Sequence, residues 1–172
     1  MIVTSDIKKA DYIRLNLTMV PRLKSTYMSL VPMSIFIFIL LSWKRGIPDT
    51  TNEWIAFLVG STIGSFLATL IVLLLTIISI LVRPSKNNGT LGLHEYKISH
   101  DGLYEKTSAN EGLSRWEGIQ NVSVYGSYIF FNISGHLFHI IPERSFDSHE
   151  KFQEYAAASI NYWEKAHDNN KD

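Results

Sequence analysis

At 172 residues the chain has room for about one average domain, or for a membrane anchor and one small domain. Sixteen basic and sixteen acidic residues cancel, and the absence of cysteine excludes a disulfide, a thiolate metal site and a cysteine nucleophile. Residues 83–172 carry nine Lys/Arg against twelve Asp/Glu, a balance that argues against nucleic acid as a partner.

In chain order, residues 1–26 come first, with five Lys/Arg against two acids. Ile7, Ala10, Ile13, Leu17 and Val20 fall roughly along one helical face, with Lys8, Lys9 and Arg14 largely off it. The pattern fits an amphipathic helix at a cytoplasmic membrane interface, or an ordinary helix docked on a folded domain. Residues 27–43, "YMSLVPMSIFIFILLSW", form a 17-residue run without charge, about 26 Å as a helix. Residues 54–82 form a 29-residue uncharged run, about 43 Å as a helix, long enough to tilt across a bilayer. Tyr27, Trp43 and Trp54 sit at run ends, where amphipathic rings favour the lipid–water boundary. A domain of this size cannot bury both runs, and "SWKRG" has no signal-cleavage pattern, so the reading is a two-helix transmembrane hairpin over 27–82.

Lys and Arg cluster before the first run and after the second, whereas "KRGIPDTTNE" between them balances its charges. That bias places both termini of this multi-pass chain in the cytoplasm and the turn at Gly46-Ile47-Pro48 outside. In the second run Ala56, Gly60, Gly64 and Ala68 recur every fourth residue, a stripe that allows close helix packing. Its partner is either the first run of the same chain or the second run of another copy in a homodimer. Pro32 is placed to kink the first span, and no charge lies in either span to mark an ion path.

"RPSKNNGTLG" reads as a linker, and a folded domain is expected over 91–168. Strands are expected in "EYKIS", "LYEKTS", "LSRWEGIQNVSVYG", "SYIFFNIS" and "HLFHIIP", with Gly, Asn and Asp marking the turns of an antiparallel meander. Pro142 cannot donate to a ladder and closes the last strand. Phe152, Tyr155, Ala156, Ser159, Tyr162, Trp163 and Ala166 then follow helical spacing. Asp147 with Glu150 three positions on reads as a capping box, and Phe146 as the residue pinning the corner.

Candidate contact residues are few. Trp116 and Ile119 are expected in a strand, as core or, for Trp116, as a ligand-facing ring. Arg144 is either a phosphate or acidic-peptide contact or the partner of a nearby carboxylate. His136 and His139 lie three apart in a strand and point to opposite faces, which disfavours a metal site between them. The chain has no G-x-S-x-G elbow and no Gly-rich phosphate loop. No catalytic residue, metal or cofactor is therefore assigned, and the chain is read as a non-enzyme.

Several stretches together resemble the YcxB-like membrane proteins: "DYIRLN" before two spans, "YKISHDGLYEKT", "RWEGI", "YIFF", and "IIPERSF" followed by a helix. The resemblance implies a bacterial inner-membrane protein with a cytoplasmic pleckstrin-homology-like (PH-like) domain. The fold class expected is thus an α+β membrane protein, a helical hairpin followed by an antiparallel barrel or sandwich with a C-terminal helix. The leading functional expectation is an anchored module for a protein or peptide partner. The alternatives are immunity against a membrane-active toxin and lipid sensing.

Overall fold

The computed structural model describes residues 1–82, 89–135 and 137–168. The chain divides into two units, one of Met1–Thr18 with Arg83–Asp172 and one of Met19–Val82. The folded domain expected from residue 91 therefore also includes residues 1–18, for which docking on that domain is one of the two expectations, beside an interfacial helix. Strand β1, Ile2–Ile7, pairs antiparallel with β2, Gly92–Ser99, and Ile2 lies opposite Lys97. Val3, Ser5 and Ile7 of β1 alternate inward. The polar Ser5 at an inward position masks that period of two in the sequence.

Helix α1, Lys9–Met19, follows. Its buried positions are Asp11, Leu15 and Met19, while Ala10 and Leu17 are exposed, so the expected apolar stripe is not the face that packs.

The Met19–Val82 unit is a helical hairpin. Helix α2, Lys24–Arg45, and helix α3, Thr51–Val82, are both long and apolar enough to cross a membrane. Gly46 ends α2 at φ +88°, its N–H donating to the Ser42 carbonyl at 2.9 Å, a backbone conformation that favours glycine. Pro32 lies inside α2, where it removes one backbone donor. The helices meet through Ser34 and Ser61, whose hydroxyls are 3.3 Å apart, and through Phe38, which packs on Trp54 and Phe57. Phe57, Ser61 and Ser65 are the buried residues of α3. Ala56 and Gly60 are exposed, while Gly64 and Ala68 are half-buried. A Cβ on Gly64 would lie 3.2 Å from Ile37 Cδ1, whereas one on Gly60 meets nothing within 4 Å. Serine substitutes for glycine at the contact because Ser61 and Ser65 turn their hydroxyls back onto the Leu58 and Thr62 carbonyls.

In the other unit, β1, β2, β3 (Gly102–Lys106) and β4 (Glu111–Arg115) form a four-stranded antiparallel sheet in that order. Strands β5 (Asn121–Val124), β6 (Tyr128–Ser134) and β7 (Leu137–Pro142) form a three-stranded sheet. The expected barrel is not closed, since the strands divide into two separate ladders. Gly102, at φ +150°, allows the β3–β4 approach: a Cβ there would sit 2.2 Å from the Ser114 carbonyl oxygen.

Tyr96, Ile98, Leu103, Trp116, Ile119, Val122, Ile129, Phe131 and Ile141 fill the space between the sheets. Helix α4, His149–Asp168, adds Phe152, Tyr155 and Ala156, and the half-buried Tyr162, Trp163 and Ala166 pack beside them. This is the face that the sequence spacing predicts. The cap lies one residue later than expected. The Ser148 hydroxyl accepts the Lys151 N–H at 3.3 Å, while Asp147 binds the Lys151 ammonium. Phe146 packs edge-on against Phe152 and Tyr155 at centroid distances of 5.6 and 5.3 Å. The opposite face of the β5–β7 sheet is buried as well, through Phe130 and its cross-strand neighbour Ile140. That explains the unbroken apolar runs of β6 and β7.

Candidate functional site

Trp116 is not in a strand. It opens a short 3-10 turn, Trp116–Gly118, between β4 and β5. The ring is 2 % exposed, its Nε1–H donates to the Ser99 carbonyl at 2.9 Å, and it stacks on Tyr162 at 5.7 Å. Ile119 is fully buried and its carbonyl accepts the Trp163 Nε1–H at 2.7 Å. Trp116 is a core residue with a satisfied polar edge, out of reach of a ligand.

Arg144 lies in the turn after Pro142, which ends β7 opposite Tyr128. Its two terminal nitrogens grip the Asp11 carboxylate at 2.7 and 2.6 Å, and Nη2 also donates to the Asp6 carbonyl at 2.9 Å. Tyr128 and the Lys8 backbone N–H donate to the same carboxylate at 2.9 and 2.7 Å. Burial pushes the Asp11 carboxyl up, and the bonds from Arg144, Lys8 and Tyr128 outweigh it, so it lies below the usual range. The pairing ties α1 and β1 to the turn after β7, and of the two roles the sequence allows Arg144 it is the second, that of partner to a carboxylate.

A second polar cluster was not anticipated. The Glu105 carboxylate on β3 accepts from His94 Nδ1 on β2 at 2.9 Å and from His139 Nδ1 on β7 at 3.1 Å, both through Oε1. Tyr96 lies 3.3 Å from His94 and its hydroxyl also bonds Glu105. Burial pushes Glu105 up, but the hydrogen bonds from His139 and His94 and the charge on His139 win, holding it at about 2. Burial and the neighbouring Glu105 charge push the Tyr96 phenol well up, so it remains a donor. His94 Nε2 is buried without a hydrogen-bond partner. The cluster borders a cavity of about 330 Å³ lined also by Tyr12, Asn110, Leu137 and Phe138.

No sequence signal joins these residues, because the β2–β3 register and the second sheet bring them together. His136, the other member of the doubtful histidine pair, lies outside the described residues, and among those described no group suited to a metal ion is found.

Glu105 gives a pH-dependent expectation. Its folded value lies below its ordinary 4.5, so its stabilisation is complete above pH 4.5 and disappears as the pH falls towards 2. The loss amounts to about 3 kcal/mol. Urea midpoints taken between pH 5 and pH 3 are expected to fall steeply in the native chain and less steeply in Glu105→Gln.

Residues 98–158, from Ile98 of β2 to Ala158 of α4, match the family model described as YcxB-like protein. The resemblance expected over nearly the whole chain is thus found over this stretch. No curated protein and no solved structure matches.

Proposed function

Starting from a chain that carries this YcxB-like segment, we propose a membrane-anchored, non-enzymatic interaction module at the cytoplasmic face of the bacterial inner membrane. In this reading the two-sheet unit has a PH-like fold and holds an extended, basic segment of a partner protein. The division of strands into four and three, followed by a C-terminal helix, supports the PH-like assignment. Anchoring is supported by α2 and α3, and by the insertion of their hairpin between β1 and β2 of one unit. Both ends of the hairpin lead into that unit, which favours both termini on one side of the bilayer, in agreement with the positive-inside bias.

The observation that carries partner capture is strand β4. It has a ladder neighbour on one side only, and all five residues are exposed or half-exposed, Leu113 at 50 %. Thr107 N–H bonds the Asn110 carbonyl across the β3–β4 turn, so the antiparallel alternation sends the Leu113 N–H and C=O away from β3. A peptide strand added there gains main-chain bonds without disturbing the fold. Charge selects the partner: the described part of this unit carries nine Lys/Arg against thirteen Asp/Glu.

A photoreactive residue at position 115, exposed on the same strand, in native membranes, is expected to crosslink to a discrete polypeptide within a Lys/Arg-rich extended segment. Leu113→Pro removes the outward donor at an edge that tolerates proline, and is expected to weaken the crosslink about tenfold, the loss of roughly one good hydrogen bond. Adducts to phospholipid alone, or an unchanged crosslink in Leu113→Pro, overturn the reading.

A further inference from the structure

We infer that the cavity beside Glu105 is a binding site for one organic cation of the guanidinium or primary ammonium type. The source is either a small free amine or an arginine or lysine side chain; in the second form the inference rests on the peptide-capture reading above.

Four features carry it. At about 330 Å³ the cavity sits at the small end of ligand sites, suited to a group of a few heavy atoms. Among its described lining residues Glu105 is the acidic one and no lysine or arginine accompanies it, so the fixed charge favours a cation. Both imidazoles bond Oε1, which leaves Oε2 with acceptor capacity beyond the Tyr96 hydroxyl. Tyr12 and Phe138 also line the cavity, and aromatic rings attract cations to their faces.

The test uses the full chain in detergent micelles, titrated with butylguanidine and with its neutral isostere butylurea and followed by the NMR signals of His139 and Tyr96. Butylguanidine is expected to saturate with a Kd on the order of 1 mM, in keeping with so few heavy atoms, and butylurea to leave the signals unmoved. Leu137 is 55 % exposed at the cavity and open to substitution without loss of core. Leu137→Lys sets a competing ammonium there and is expected to weaken butylguanidine at least tenfold, while Leu137→Gln does not. Glu105→Gln is expected to abolish binding.

A tripeptide Gly-Arg-Gly that binds tighter than butylguanidine identifies a peptide side chain as the source, and equal affinity identifies a small free cation. Equal binding of butylurea, or no saturation at ten times the expected Kd in a folded native chain, overturns the inference. Leu113→Pro leaves the cavity intact, so loss of edge capture with retained butylguanidine binding separates failure of the earlier reading from failure of this one.

Discussion

Arg144→Ala is expected to destabilise the two-sheet unit by about 3 kcal/mol, a fall of about 10 °C in its thermal midpoint. Asp11 is 2 % exposed, and its carboxylate is held by Arg144, Tyr128 and the Lys8 N–H. Removing the guanidinium leaves an ionised group in the interior with neutral donors alone, and such an orphaned charge costs more than the intact pair contributes. The figure is set at the low end of the range for buried pairs because the Arg144 side chain is itself 43 % exposed. Arg144 also bonds the Asp6 carbonyl, so the loss is expected first in β1 and α1. Hydrogen exchange should show faster exchange in residues 2–19 before the β2–β3 ladder responds. Asp11→Asn in the same chain removes the orphaned charge, and the double variant is expected to be less destabilised than the sum of the single ones. An additive result would show that the two side chains are not coupled.

Trp116→Ala is expected to cost about 4 kcal/mol, the range for emptying a large aromatic from a packed core. The ring stacks on Tyr162, and its loss leaves the Ser99 carbonyl without the indole donor. Trp116→Phe retains the stack and loses the hydrogen bond, so a cost of about 2 kcal/mol is expected. Thermal unfolding followed through Trp163 fluorescence orders the three proteins. Wild-type stability in Trp116→Ala would contradict the core assignment and return the ring to the list of ligand contacts.

The elements that sequence periodicity exposed are those with one dominant face or no polar face at all. Phe152, Tyr155 and Ala156 recur at helical spacing and line the buried side of α4, and the two uncharged runs became α2 and α3. Strand β1 stayed hidden because Ser5 occupies an inward position that pattern reading reserves for apolar residues. The Ser5 hydroxyl is satisfied by Ser145, a partner 140 positions away. Distance in the chain is also why the polar clusters were illegible. Asp11 and Arg144 are 133 positions apart, and Glu105 meets His139 only because β3 and β7 belong to different sheets that face each other. Trp116 illustrates the opposite error: its β-favouring ring suggested a strand, while the 3-10 turn there lets the indole reach back to Ser99.

The position of β1 has a consequence for biogenesis. A ribosome releases this strand before α2 and α3, and its pairing edge on β2 is synthesised only after the entire hairpin. During that interval its hydrogen-bonding groups have no native mate, the condition under which nascent strands find wrong ones. An antiparallel helical pair returns the polypeptide towards where it left, which shortens the entropic distance that the late ladder must close. Formation of the α2–α3 hairpin and completion of the four-stranded sheet are thereby coupled in time: β1 can dock only once both apolar helices have been made.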